Sequence, residues 1–382
     1  PPDDPPPHLG LACVHHFRGL VLLATAVCVL AVDFQAFPRR YAKCETYGTG
    51  AMDLGTGLFI FVSGLCGPGA RRARARGPPA SPPLGNAGQI LLLGALGLAR
   101  FATLRVVDYQ EHVTEYGVHW NFFLTLAVVK LAGAAAAAAA GRGAPPPGSS
   151  VSSWAGAALL FAALGCYQVG LSFFSLDTFI VDGERGNLFS QNREGILGCL
   201  GYLCVSKCGE ILGKDLIWNI HGKTLKSLLL QWRYSFVKAT IYAVCLWTAT
   251  LVCDASVQPI SRRFVNLSYV LWCISMGLTL LLVPLGCNIF SSRPTRLIVL
   301  TCYSKHMLPV FFFANVMTGA VNLSMQTIYM GHISGCIVVA AYTLGTSVFA
   351  ILYCKARKPE QFQALFFDKE ESGNEEYFKK RR

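Results

Sequence analysis

The sequence predicts an all-α, polytopic integral membrane protein with about ten transmembrane helices. Hydrophobic residues make up 53% of the 382-residue chain and charged ones 14%, which is too apolar for a soluble domain of this length. The apolar residues gather in runs near the roughly 20 helical residues that cross a hydrocarbon core of about 30 Å. Strand-type alternation is absent, so helices rather than a closed barrel must satisfy the backbone in lipid.

Residues 1–16 are Pro-rich and are expected to be disordered. Spans then read 17–32, 54–67, 87–107, 120–140, 151–171, 195–206, 232–253, 265–289, 307–323 and 333–354. The first is a run of mostly apolar residues closed by Asp33. Two spans, 54–67 and 195–206, are short for the core. The fourth ends on an alanine run, 134–140, a strong helix former. Residues 68–85 and 141–150 are Pro/Gly-rich linkers without assigned structure. Residues 207–231 are basic and amphipathic and are expected on the cytosolic membrane surface. A multi-span domain over 17–354 and a charged cytosolic tail over 355–382 complete the organisation.

The formal charge of +12 does not point to nucleic acid. The basic residues sit in short clusters between apolar runs, as in cytoplasmic loops of membrane proteins. Clusters at 71–76, 207–226, 293–305 and 355–358 are separated by even numbers of spans. All four therefore share one side, cytosolic by the positive-inside rule. The loops after the first, third and fifth spans lie on the opposite side, as do two weak glycosylation sequons at Asn266 and Asn322. The 15 cysteines have no metal-ligand spacing and mostly lie in apolar runs, so neither a disulfide framework nor a metal site is expected.

The loop over 31–53, AVDFQAFPRRYAKCETYGTGAMD, is denser in acids, bases and aromatics than a connector needs. Its Arg39, Arg40 and Lys43 form a basic cluster on the wrong side for the charge rule. Either this loop is an exception or its cations bind an anionic lipid head group. The loop after the third span carries Glu111, His112, Glu115, Tyr116 and His119. His112, Glu115 and His119 have the spacing of one helical face; a metal site is disfavoured, and these groups are expected to bind polyol hydroxyls or to pair with the first loop's cations. Arg100, Lys130 and Lys238 lie inside spans, where charge is costly and faces a cavity or a partner. Arg100 and Lys130 sit at similar depth on consecutive spans and suit a substrate phosphate; the bland alternative is pairing with an acid from another helix. Asn192, Arg193 and Glu194 open the sixth span, either as helix cap and solvated charges or as substrate contacts. Asn315, Thr318 and Asn322 recur on one helical face, as interhelical hydrogen bonding requires.

The loop over 31–53 closely resembles the signature loop of the inositol acyltransferases of glycosylphosphatidylinositol-anchor synthesis, the PIG-W family. YQEHVTEYGVHWN at 109–121, NREGILGCLGY at 192–202 and ANVMTGAVNL at 314–323 agree with it. The resemblance implies transfer of a fatty acyl group from acyl-CoA to an inositol hydroxyl of glucosaminyl-phosphatidylinositol. It implies a multi-pass protein of the endoplasmic reticulum membrane, with acyl-CoA as co-substrate and no cofactor. The family's chains begin earlier, so this chain is expected to be truncated at its N-terminus. Such a reaction needs a base for the hydroxyl and a cation or donor for the oxyanion. Asp33 at the end of an apolar run suits the base, and Lys43 the oxyanion partner. Asp33 has a bland alternative as a helix-end group paired with Arg39 or Arg40. Substrate contacts are expected from Arg39, Arg40, Tyr41, Glu45, Tyr47, Asp53, Arg100, Glu111, His112, Glu115, His119, Asn121, Lys130, Asn192, Arg193 and Glu194. The rival reading, a secondary transporter of an anionic solute, would use Arg100, Lys130 and Lys238; the chain shows no clear internal repeat.

Overall fold

The computed structural model describes residues 9–71, 87–107, 113–140, 150–220, 225–290 and 297–357, with positions 359 and 362. The residues before position 9, most of both Pro/Gly-rich linkers, Glu111, His112 and most of the charged tail lie outside the described residues. In chain order the helices are α1 (Leu9–Ala31), α2 (Leu54–Leu65), α3 (Pro68–Arg71), α4 (Ala87–Val107), α5 (Val113–Tyr116), α6 (Phe122–Ala140), α7 (Ser150–Phe173) and α8 (Leu176–Asp182). They continue with α9 (Leu188–Gln191), α10 (Arg193–Gly213), α11 (Leu225–Ser256), α12 (Leu267–Phe290), α13 (Ile298–Lys305), α14 (Met307–Ser324) and α15 (His332–Arg357). Among the described residues there is no strand. Eight helices among those residues are long and apolar enough to cross a membrane, and two shorter apolar helices, Ala87–Ala99 and Phe122–Ala136, occupy the other two predicted runs.

Two compact units result: Lys43–Leu282, and the described residues up to Ala42 together with those from Val283 onward. In the first unit α2 packs on α10, which also touches α6 and α7. Glycines allow that approach: a Cβ on Gly64 would fall 2.0 Å from the Ser206 carbonyl oxygen, and one on Gly209 would fall 2.4 Å from that of Phe61. In the second unit α1 packs on α13, α14 and α15. Ala26, Leu30, Phe34, Ala314 and Tyr342 form its buried core.

Three expectations are corrected. Residues 9–16 are helical rather than disordered, because Cys13 and Val14 are buried and the imidazoles of His15 and His16 are engaged by Ser304 Oγ (2.8 Å) and the Leu297 N–H (3.2 Å). The sixth span does not stop at 206: α10 runs to Gly213 and a π-helical turn follows at Lys214–Trp218. The first part of the basic segment 207–231 therefore extends a packed helix instead of forming a separate surface helix. Within the basic cluster 293–305, Ile298–Lys305 is helical and buries Thr301, Cys302, Tyr303 and Ser304; positions 293–296 lie outside the described residues.

Candidate functional site

In the first unit, residues from four separate stretches converge. The second half of the first motif loop is fastened to the segment between α11 and α12. Gly48 N–H donates to the Ile260 carbonyl at 2.8 Å, Ser261 Oγ donates to the Thr46 carbonyl, and Gln258 Nε2 donates to Tyr47 Oη at 3.0 Å. The Tyr47 ring stands edge-on to Phe264 at 5.5 Å. This docking fixes Lys43 and Asp53 at the two ends of the segment. Asp53 is fully buried. Its Oδ2 accepts from Cys44 N–H at 3.1 Å, and its carbonyl accepts from Tyr269 Oη at 2.8 Å.

Glu115 is held from both sides. Lys43 Nζ donates to Oε1, and Arg262 Nη2 donates to Oε2 at 3.2 Å. Arg262 also lies 3.9 Å from Asp53 Oδ1 and stacks over the Tyr116 ring at 5.2 Å. Tyr116 Oη shares a 2.6 Å hydrogen bond with Thr56 Oγ1. Burial alone would raise the Glu115 carboxyl, but Arg262 and Lys43 outweigh it and hold the group at about 2. Burial alone would depress the Arg262 guanidinium; Tyr116 and Glu115 more than offset that and hold it charged. Two cations and two carboxylates thus make a buried network, and Lys43 is its solvent-facing member at 43% side-chain exposure.

The other motif loops join the same unit. Gly117 adopts φ +110, and a Cβ there would fall 2.6 Å from Asn192 Cα. This turn ends α5, so Glu115 and His119 do not share a helical face, contrary to their spacing. Glu115 faces Lys43 and Arg262, whereas His119 Nε2 meets Gln191 Oε1 at 3.2 Å; His112 lies outside the described residues. Val118 N–H donates to the Gln191 carbonyl and His119 N–H to Asn192 Oδ1, at 2.9 and 2.8 Å. Asn192 therefore ties two motif blocks together, and its side chain makes no cap bond at the start of α10. Asn121 caps α6, accepting from Phe123 and Leu124 N–H, and donates to the Gly97 carbonyl at 2.8 Å. Arg193, 1% exposed, donates to the carbonyls of Ile180, Gly183 and Glu184. Glu194 is bound bidentately by Arg185 at 2.5 and 3.2 Å. Glu45 is exposed.

In the second unit Asp33 is half-buried, and its Oδ2 accepts from Asn322 Nδ2 at 2.8 Å. Its partner is thus Asn322 and not Arg39 or Arg40. Arg39 Nη1 donates to the Val32 carbonyl at 2.9 Å, while Arg40 stacks on Tyr41 at 4.9 Å. Asn322 belongs to the polar face read from the sequence, whose Thr318 reaches Tyr342 Oη at 3.4 Å. An apolar hollow of about 280 Å³ is lined by Ala31, Phe34, Phe37, Cys336 and Val339, among others; Ala31 and Phe34 lie within two residues of Asp33 in sequence.

Of the intramembrane cations, Lys238 Nζ lies 2.6 Å from Asp215 Oδ1, and Tyr242 Oη donates to Oδ2 at 3.2 Å. Lys130 is half-buried on α6; the Arg100 side chain lies outside the described residues.

The sequence reading missed Arg185, Arg262 and Arg263. Arg262 and Arg263 repeat the anomaly of Arg39 and Arg40: a basic pair in a loop that the span count places opposite the basic clusters. That recurrence was the available signal.

The GWT1 family model matches residues 3–353. A bovine protein named glucosaminyl-phosphatidylinositol-acyltransferase PIGW is 33% identical over 355 residues, covering 82% of this chain and 67% of its own length. The human protein of the same name is 30% identical, with 91% and 74% covered. The GPI-anchored wall transfer protein 1 of Saccharomyces cerevisiae is 32% identical, with 89% and 73% covered.

Proposed function

The chain belongs to the GWT1 family, and from that premise we propose that it moves a fatty acyl group from acyl-CoA to an inositol hydroxyl of glucosaminyl-phosphatidylinositol, in glycosylphosphatidylinositol-anchor synthesis at the endoplasmic reticulum membrane. It is a multi-pass membrane protein and an acyltransferase. The observation that carries the reading is the meeting of the first two motif loops, through Lys43, Asp53 and Glu115, on one charge network held by Arg262, with Lys43 as its solvent-facing member.

The chemistry follows from these groups. The inositol hydroxyl oxygen attacks the thioester carbonyl carbon, and Asp33 takes the proton as the C–O bond forms. Asn322, donating to one Asp33 oxygen, fixes the carboxylate and leaves its other oxygen to act as base. Lys43, ion-paired with Glu115, offers further N–H donors to the oxyanion. Collapse of the tetrahedral intermediate breaks the C–S bond and releases the CoA thiolate, which takes up a proton. No cofactor is needed. The hollow lined by Ala31 and Phe34 is apolar and suits an acyl chain: at about 0.8 kcal/mol per buried methylene, burying part of the chain there contributes useful binding energy. Lys238, salt-bridged to Asp215, does not favour a transport path.

Incubating the purified protein with labelled acyl-CoA and glucosaminyl-phosphatidylinositol, then analysing the lipid product, tests this. An alkali-labile acyl ester on the inositol is expected. CoA release without acylated lipid, or no turnover by protein that binds both substrates, contradicts it.

A further inference from the structure

Arg263 is held in an unusual state. Its side chain is 9% exposed, and its nearest carboxylate oxygen, Glu194 Oε1, is 3.6 Å away, beyond hydrogen-bond reach. That carboxylate already spends both oxygens on Arg185. Arg263 Nε is buried without a hydrogen-bond partner among the described residues. Arg193 next to Glu194 is buried as well, but it spends its donors on three backbone carbonyls. Carbonyl dipoles satisfy those N–H groups without cancelling the charge. Buried Arg193, Arg263 at 9% side-chain exposure and half-buried Arg185 thus face one buried acid, Glu194; Asp182 and Glu184 nearby are exposed. A guanidinium withdrawn from water without a fully matched counter-charge costs several kcal/mol, and an arriving anion recovers that cost.

The loop that carries Arg263 is rigid. Ile260 N–H donates to Asp254 Oδ1 at 2.7 Å, Ser261 N–H donates to Asn266 Oδ1 at 3.2 Å, and Asn266 Nδ2 donates to the Pro259 carbonyl at 2.8 Å. Val265 sits at φ +50, rare for a β-branched residue, against Gly198 and Gly201 of α10. Backbone strain is tolerated here to keep the segment in place. Arg262, one residue before Arg263, holds Glu115 beside Lys43. Consecutive Cα atoms are about 3.8 Å apart, so the backbone of Arg263 is anchored next to that of Arg262, which holds the network that carries Lys43.

We propose that Arg263, backed by Arg185, is a preformed binding site for a phosphate ester of a substrate. A guanidinium fork matches two non-bridging phosphate oxygens, and a donor that lacks a protein partner is the one available for it. This rests on the acyltransferase reading, under which both substrates carry such a group: the phosphodiester of the lipid acceptor and the phosphates of CoA. In the acceptor the phosphodiester is joined directly to the inositol ring. Binding it at Arg263 places the ring beside the neighbouring residues of the charge network.

The test uses the full chain in nanodiscs, with Arg263→Gln and, as a variant that keeps the charge, Arg263→Lys. Steady-state kinetics is measured against each substrate. Arg263→Gln is expected to raise one KM by about ten- to a hundredfold, the size of a lost charge-assisted hydrogen bond, with a much smaller change in kcat. Arg263→Lys falls between. A rise confined to the lipid KM assigns the site to the acceptor phosphodiester; a rise confined to the acyl-CoA KM assigns it to CoA. Inorganic phosphate should compete with that same substrate in the wild-type protein, a measurement that requires no variant to fold. Native mass spectrometry with phosphatidylinositol and with CoA reads the site without turnover, so it stands even if the acyltransferase reading fails. Unchanged KM for both substrates with no competition by phosphate overturns the proposal, as does unchanged binding of both ligands by Arg263→Gln.

Discussion

Arg262 Nη2 lies 3.2 Å from Glu115 Oε2, on the carboxylate oxygen that Lys43 leaves free. This contact joins residues 147 positions apart and makes Glu115 the shared counter-ion of a buried and an exposed cation. The site's predicted behaviour follows from it.

Arg262→Gln leaves fully buried Asp53 without its cation and Glu115 with Lys43 alone. Removing one member of a buried ion pair costs about 3–5 kcal/mol, so the melting temperature in detergent should fall by many degrees. Arg262→Lys keeps a charge but cannot reach both carboxylates at once and should recover part of the loss. A Gln variant that melts with the wild type would show that the network contributes nothing to the fold.

Glu115 has a pH signature. Its carboxyl is held at about 2 against an ordinary 4.5. A depressed carboxylate contributes stability that is present above the unfolded value and lost as pH falls through the folded one. The stability gap between the wild type and Glu115→Gln should therefore be constant from about pH 6 upward, shrink below 4.5 and close near 2. Thermal melts across that range check it. A gap that grows on acidification contradicts the pairing.

Asn322→Ala removes the donor to Asp33. Turnover should drop about tenfold, roughly the worth of one hydrogen bond to a charged group, while affinity for the lipid acceptor stays unchanged. Loss of acceptor affinity with turnover intact would instead make Asn322 a substrate contact.

The fold was legible where composition decides it. Ten apolar runs mark ten helices because lipid leaves the backbone no alternative. Boundaries were legible where a proline or charge marks them, and failed at Leu9 and Gly213, where tertiary packing prolongs the helix. The motif loops announced themselves by residue density, and pairing of the second loop with the first loop's cations was one of two readings, which Lys43 and Glu115 bear out; the partners from outside the motif blocks were not legible. Glu115 looked like one face of a helix with His119 until Gly117 broke it. Arg193 read as a candidate substrate contact, and its donors go to carbonyls that periodicity cannot reveal. Arg262 is distant in sequence from every block that drew attention, and long-range ion pairs leave no local pattern.

Orientation follows from the basic clusters. In sealed vesicles the Lys355–Arg357 end of α15 should be open to protease from the cytosolic face, and Tyr41 should be protected. Digestion near Tyr41 with the α15 end protected inverts the topology.

The proposed roles of Asp33 and Lys43 are decided by the single-turnover rate of Asp33→Asn, Lys43→Met and the double variant, with bound acceptor measured in parallel. Each single change should slow acyl transfer about 10²-fold or more, the scale of lost acid–base or oxyanion catalysis. The double variant should be far from multiplicatively worse if, as proposed, both groups serve one transition state. Folded Asp33→Asn protein that binds acceptor and transfers the acyl group within a few-fold of the wild-type rate would contradict the account.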